Sequence, residues 1–115
     1  MNYDLEERTA KFGESILRFV SSLPKNEINK VLVNQIARSA TSIGANYMEA
    51  NQASSKKDFK NKIGICRKEA NETKYWIRMI SSTNKEKADE CKSYWKEAHE
   101  LMLIFSKIFS SSNKN

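Results

Sequence analysis

The sequence predicts an all-α fold, an antiparallel up-down-up-down four-helix bundle, and three observations carry that prediction. Gly and Pro number only 3 and 1 in 115 residues, so long helices meet few interruptions and an all-β fold would lack its turn residues. Apolar or small residues recur in alternating steps of four and three along four separate segments, the spacing of a left-handed bundle seam. Connections of a few residues separate those segments, which sets consecutive helices antiparallel at crossing angles of about 20°. A chain of this length buries roughly two-thirds of its unfolded surface, enough for one domain, 1–115, with no disulfide or structural metal.

The four helices are expected at about 3–23, 27–53, 56–82 and 85–110. The first carries Leu5, Thr9, Phe12, Ile16, Phe19 and Leu23 on its seam, widened by Leu17 and Val20, and Pro24 ends it because the residue before proline is driven out of the α region. On the second, Val33, Ala37, Ala40, Gly44 and Tyr47 form the seam, with Ile36, Ile43 and Ala50 beside it. Its small residues predict a closely approaching neighbour, with Gly44 present for packing. The third opens at Ser54 or Ser55, where Asp58 completes a capping-box pattern, and keeps an unbroken seam of Phe59, Ile63, Cys66, Ala70, Thr73, Ile77 and Ile80. The fourth is expected to start after a Thr83 cap with Glu86 three residues on, its seam being Ala88, Cys91, Trp95, Ala98, Met102, Phe105 and Phe109 beside a row of Tyr94, Leu101 and Ile108. The polar tail, 111–115, carries no stripe and is expected to be disordered.

Composition excludes several classes of protein. Asp4, Glu6 and Glu7 stand where a secretory signal needs a basic and then an apolar stretch, no apolar run reaches the ~20 residues of a membrane span, and mean hydropathy is -0.69, so a cytoplasmic protein is expected. Cys66 and Cys91 are too few for a zinc cluster. A hairpin centred near Thr83 sets Cys66 level with a residue near 100 and Cys91 near 75, an offset of roughly 13 Å that no disulfide spans. The formal net charge of +6 and a pI near 9.4 favour a polyanionic partner.

No catalytic or metal constellation emerges. A di-iron bundle needs two Glu-x-x-His pairs, whereas His99 is the one histidine and Lys96 stands three residues before it. That histidine would also have to serve as base for any Ser or Cys nucleophile, and both cysteines lie on core seams, where thiols are inert. Glycine-rich phosphate loops are absent. The sequence therefore predicts a non-enzyme without cofactor, metal or small-molecule substrate.

Two polar patterns remain. Lys56, Lys60, Arg67, Lys74 and Arg78 line one side of the third helix and span roughly 27 Å from Lys60 to Arg78, a length matching several phosphates of a nucleic-acid strand; a merely solvated face is the competing reading. Ile65, Glu69, Glu72 and Trp76 form a second stripe beside the seam, and the second helix carries Arg38, Ser42, Ala45 and Glu49. These rows are expected to meet a neighbouring helix or another subunit, with Arg38 pairing with Glu69 or Glu72, while ordinary intrahelical ion pairs are the alternative.

The stretch Arg38-Ser-Ala-Thr-Ser-Ile-Gly-Ala-Asn-Tyr-Met-Glu49, followed by Ser55-Lys-Lys-Asp-Phe59 and Glu69-x-x-Glu72-x-x-x-Trp76, resembles the bacterial four helix bundle family, also called the 23S ribosomal RNA intervening-sequence protein family. The resemblance covers nearly the whole chain, departing where Ala50 and Asn51 replace a usual glycine. It implies small non-enzymatic proteins encoded within intervening sequences of large-subunit ribosomal RNA genes. It also implies homopentameric barrels, with a related branch serving diversity-generating retroelements by binding reverse transcriptase and nucleic acid. Asn46, Glu49, Glu69, Glu72 and Trp76 match the family's signature, and with Arg38 and Ile65 they form the expected oligomer interface. The leading expectation is an oligomer that binds RNA or a ribonucleoprotein through basic helix faces; the alternative is an adaptor for a reverse-transcriptase-like or other client.

Overall fold

Each segment with a four-and-three stripe is a helix in the computed structural model, which describes residues 4–112. The helices are α1 (Leu5–Ser21), α2 (Glu27–Ala50), α3 (Lys56–Thr83) and α4 (Ala88–Ser111), with one 3-10 turn, Lys85–Lys87, before α4. No strand occurs among the described residues. The expected start near residue 3 and the tail residues 113–115 lie outside them. Gly44 faces Thr9 and Gly13 faces Thr41, while Arg38 reaches Glu69 and Lys62 reaches Glu49. In both helix pairs the partner number falls as the other rises, which makes the neighbours antiparallel. The rods give a molecule of 49 × 20 × 20 Å.

Local chemistry explains where the helices stop. The Ser21 and Ser22 hydroxyls donate to the carbonyls of Arg18 and Phe19 (2.8 and 2.6 Å), so α1 closes two residues before the expected Leu23. Asn26 and Ser55 cap α2 and α3, each side chain accepting from the backbone N–H three residues on, at 2.8 and 3.0 Å. The α3–α4 connection departs from expectation. Thr83 is still helical and turns its hydroxyl back to the Met79 carbonyl (3.1 Å), Asn84 begins the turn, and α4 starts at Ala88 without a side-chain cap. The hairpin centre therefore lies near residue 86. Cys91 sits against Ser81 and not near residue 75, and the axial offset between the thiols grows to roughly 22 Å. Both cysteines are buried and free, and burial pushes the Cys66 thiol up to about 12.

The interior is filled by Ile16, Ile36, Ile43, Ile63, Ile77, Ile80, Leu101 and Phe105, all fully buried. The α3 seam is buried from Ile63 to Ile80, with Phe59 half-buried at its start. On α2 the centre of the interface falls on the residues expected beside the seam, Ile36, Ile43 and Ala50, together with Leu32, Ser39, Ala40 and Tyr47. Val33, Ala37 and Gly44 are half-buried at the α1 edge, where backbones come close: a Cβ on Gly44 would stand 3.2 Å from the Thr9 hydroxyl oxygen. Bulk fills the middle and small residues line the close contact. Leu17 does not widen the α1 core. It is 43% exposed and walls an open cavity with Val33 and Ala37 at the α1–α2 edge. On α4, Ala88 and Trp95 are exposed, and the inward stripe is Cys91, Ala98, Leu101 and Phe105, with Met102 and Phe109 half-buried.

Buried polar groups are matched. Thr73 donates to Ser39 Oγ (2.9 Å) across the α2–α3 contact, and Asn29 and Asn84 exchange two amide hydrogen bonds of 2.9 Å. No buried side-chain nitrogen or oxygen among the described residues lacks a partner.

Candidate nucleic-acid interface

The buried seam of α3 leaves two flanks, one toward α2 and one toward α4, and the sequence-predicted site residues divide between them. On the α2 flank the Arg38 guanidinium contacts both carboxylates expected of it. It lies 3.3 Å from Glu69 Oε1 and makes a short charge-assisted contact with Glu72 Oε2. The same Glu72 oxygen accepts the Trp76 indole N–H at 2.9 Å. Trp76 and Arg38 together hold the Glu72 carboxyl below the usual carboxylate range, and Glu72 in turn raises the Arg38 guanidinium. One helical turn or more away, Lys62 donates to Glu49 at 2.7 Å, and the Asn46 amide donates to the Ser42 carbonyl at 2.8 Å. The two rows thus meet each other within one chain. Ile65 remains 36% exposed beside them.

The α4 flank solves a different problem, because its cations face rings and not carboxylates. Lys60 Nζ lies 4.9 Å and the Arg67 guanidinium carbon 4.2 Å from the centre of the Phe109 ring. Gly64, between them on the same stripe, makes room for that ring: a Cβ there would stand 3.1 Å from Phe109 Cε1. Two turns on, Lys74 Nζ lies 4.8 Å from the Trp95 ring centre and 3.0 Å from His99 Nδ1. An ammonium can only donate, so His99 accepts at that nitrogen. The imidazole stacks on Trp95 with centroids 5.0 Å apart and planes 11° from parallel. Arg78 continues the row as an exposed cation, and Lys56 stands exposed at the first turn, apart from the rings.

None of these five cations is in an ion pair among the described residues. The carboxylates of mid-α4 are held elsewhere. Glu97 takes Arg8 in two hydrogen bonds of 2.7 and 2.8 Å and Glu100 adds one of 2.6 Å, turning both acids toward α1. Glu97 and then Glu100 raise the Arg8 guanidinium above its ordinary value. The result is a cationic, aromatic strip along α3 and α4, with its counter-charges sequestered on the far side of α4.

Sequence reasoning found the cations of this strip and missed its aromatic half. Trp95 and Phe109 are expected on the core seam, yet both face α3, and His99 joins them there. The i, i+4 spacing of Trp95 and His99 was the available signal. Among the described residues no group of three or more His, Cys, Asp or Glu side chains could hold a metal, and no helix is long and apolar enough to cross a membrane.

No curated protein matches the sequence. The fold is similar to the crystal structure of a protein with unknown function from the S23 ribosomal protein family of Bacteroides thetaiotaomicron. That protein is 35% identical, with a TM-score of 0.83 over 90% of this chain and 96% of that one. The family described as 23S rRNA-intervening sequence protein matches residues 1–107. With nearly the whole chain matched and its fold shared with a relative of this identity, the protein belongs to the 23S rRNA-intervening sequence protein family.

Proposed function

We propose that this chain is a non-enzymatic RNA-binding bundle whose contact surface is the α3–α4 flank, with Lys56, Lys60, Arg67, Lys74 and Arg78 as its phosphate-facing cations. One observation carries the reading: five cations along one helix side lack carboxylate partners, while every acid that could neutralise them from mid-α4 is bound to Arg8. Unpaired cations in a row release counterions when phosphates replace solvent, which makes affinity fall steeply with salt. The family's association with 23S rRNA intervening sequences supports RNA as the polyanion. Affinity for a structured RNA, measured across a salt series, is expected to drop along a straight line of log K against log salt. Absence of binding at low salt, or a flat dependence, removes the proposal.

Self-association through the α2–α3 flank is a second reading, favoured by the exposed Ile65 on the same helix stripe as Trp76 and supported by the resemblance to pentameric relatives. Arg38, Asn46, Glu49, Glu69 and Glu72 would then form a preset polar rim around an apolar contact. Solution mass decides it. Trp76→Ala with Glu72→Ala is expected to lower the assembly state with helical content retained, and an unchanged mass excludes this interface.

A further inference from the structure

Near the α3–α4 connection the basic strip opens into a cavity of about 570 Å³, within the range of sites that enclose a ligand of nucleotide size. Arg78, Ser81, Ser82, Lys85 and Lys92 supply its polar lining, and the Trp95 indole forms one wall. No carboxylate lines it. Among the described residues Arg78, Lys85 and Lys92 take part in no ion pair.

Three distances decide which indole face meets the cavity. The His99 ring lies 5.0 Å from the Trp95 ring, Lys74 Nζ lies 4.8 Å from the same ring, and Lys74 Nζ is 3.0 Å from His99 Nδ1. Were Lys74 and His99 on opposite sides of the indole, they would be separated by nearly the sum of the first two distances. They therefore share one face. His99 stands one turn C-terminal to Trp95, whereas the cavity's α4 wall is formed by Cys91 and Lys92 on the N-terminal side. The second indole face is the one turned to the cavity, and Trp95 is 39% exposed.

We infer that this cavity receives one unpaired nucleotide of an RNA strand, its base stacked on the second face of Trp95 and its phosphate among Arg78, Lys85 and Lys92. The Ser81 and Ser82 hydroxyls are placed to hydrogen-bond the same nucleotide. The inference deepens the RNA reading and rests on it, adding a strand preference that phosphate attraction alone does not give. A flat π face accepts any base, so stacking there is sequence-tolerant, but a base inside a duplex cannot reach it.

The test compares a labelled, unstructured oligoribonucleotide of about a dozen nucleotides with the blunt duplex it forms with its complement, by fluorescence anisotropy at equal salt. The single strand is expected to bind about tenfold tighter or more, in line with the loss that removal of one base–aromatic stack produces. Trp95→Leu should abolish that preference, and Trp95→Phe should restore much of it. Equal affinity for the two forms, or a preference that survives Trp95→Leu, overturns the nucleotide site and leaves the RNA reading standing. A free nucleoside monophosphate that competes as well as the strand, at equal nucleotide concentration, overturns the assignment to a strand. Binding of neither RNA at low salt removes the RNA reading itself, and the cavity's assignment with it.

Discussion

The two flanks of α3 carry similar side chains and use them in opposite ways. Toward α2, Arg38 and Lys62 are matched to Glu69, Glu72 and Glu49, so positive charge is cancelled within the chain. Toward α4, the charged heads of Lys60, Arg67 and Lys74 rest on Phe109 and Trp95, which leave the charge uncancelled. A ring orients a cation without neutralising it, so the second flank keeps an electrostatic field that the first has lost. A formal net charge of +6 says little until it is known which cations are already engaged.

Substitutions can separate these roles, and the buried seam between the flanks sets the scale. Ile77 is 1% exposed, and Ile77→Ala is expected to cost about 2–5 kcal/mol in urea unfolding by opening a cavity shared by both flanks. Arg38→Ala comes next in size. It leaves Glu69 and Glu72 facing each other without their cation, and because Arg38 is 48% exposed the loss should be about 1 kcal/mol or less, with RNA affinity unchanged. If Arg38→Ala weakened RNA binding as much as Lys74→Ala, the division between the flanks would be wrong.

The smallest effect is one of pH. Trp76 and Arg38 hold the Glu72 carboxyl below its unfolded value of about 4.3, so its contribution is fully present above that value and is lost as pH falls through the lower folded value. The difference in melting temperature between the wild-type chain and Glu72→Gln should therefore be constant near neutrality and shrink below about pH 4. A difference that persisted in acid would show that the substitution acts through packing and not through charge.

The α3 seam is legible because its inward positions are consistently apolar or small and keep an unbroken four-and-three spacing from Phe59 to Ile80. The pairing of Arg38 with Glu69 and Glu72 followed from that register. On α4 the register is ambiguous. Apolar and aromatic residues occupy more than one side, and a strict seven-residue repeat drifts by about 20° per heptad against a straight helix. Carried from Phe105 back to Trp95, that drift moves the indole from the interior to the α3 edge, where His99 meets it. The α3–α4 turn was misplaced for another reason. Thr83 followed three residues later by Glu86 fits a cap pattern, but the Thr83 hydroxyl bonds backward to Met79 and Asn84 is anchored by the distant Asn29. Only tertiary contact could choose between those outcomes.

That anchoring has a consequence for how two repetitive hairpins find one alignment. A four-and-three pattern nearly repeats after each heptad, so the α1–α2 hairpin could slide along the α3–α4 hairpin and still bury hydrocarbon. The Asn29–Asn84 exchange forbids it. Asn29 also donates to the Pro24 carbonyl and Asn84 to the Ile80 carbonyl, so the amides pin both connections to one level. A slip of even one turn, about 5.4 Å, would break both inter-amide hydrogen bonds and leave the two side-chain carbonyls without the donors that now satisfy them. The pair acts as an index mark: greasy stripes pull the hairpins together, and two small polar groups tell them where to stop.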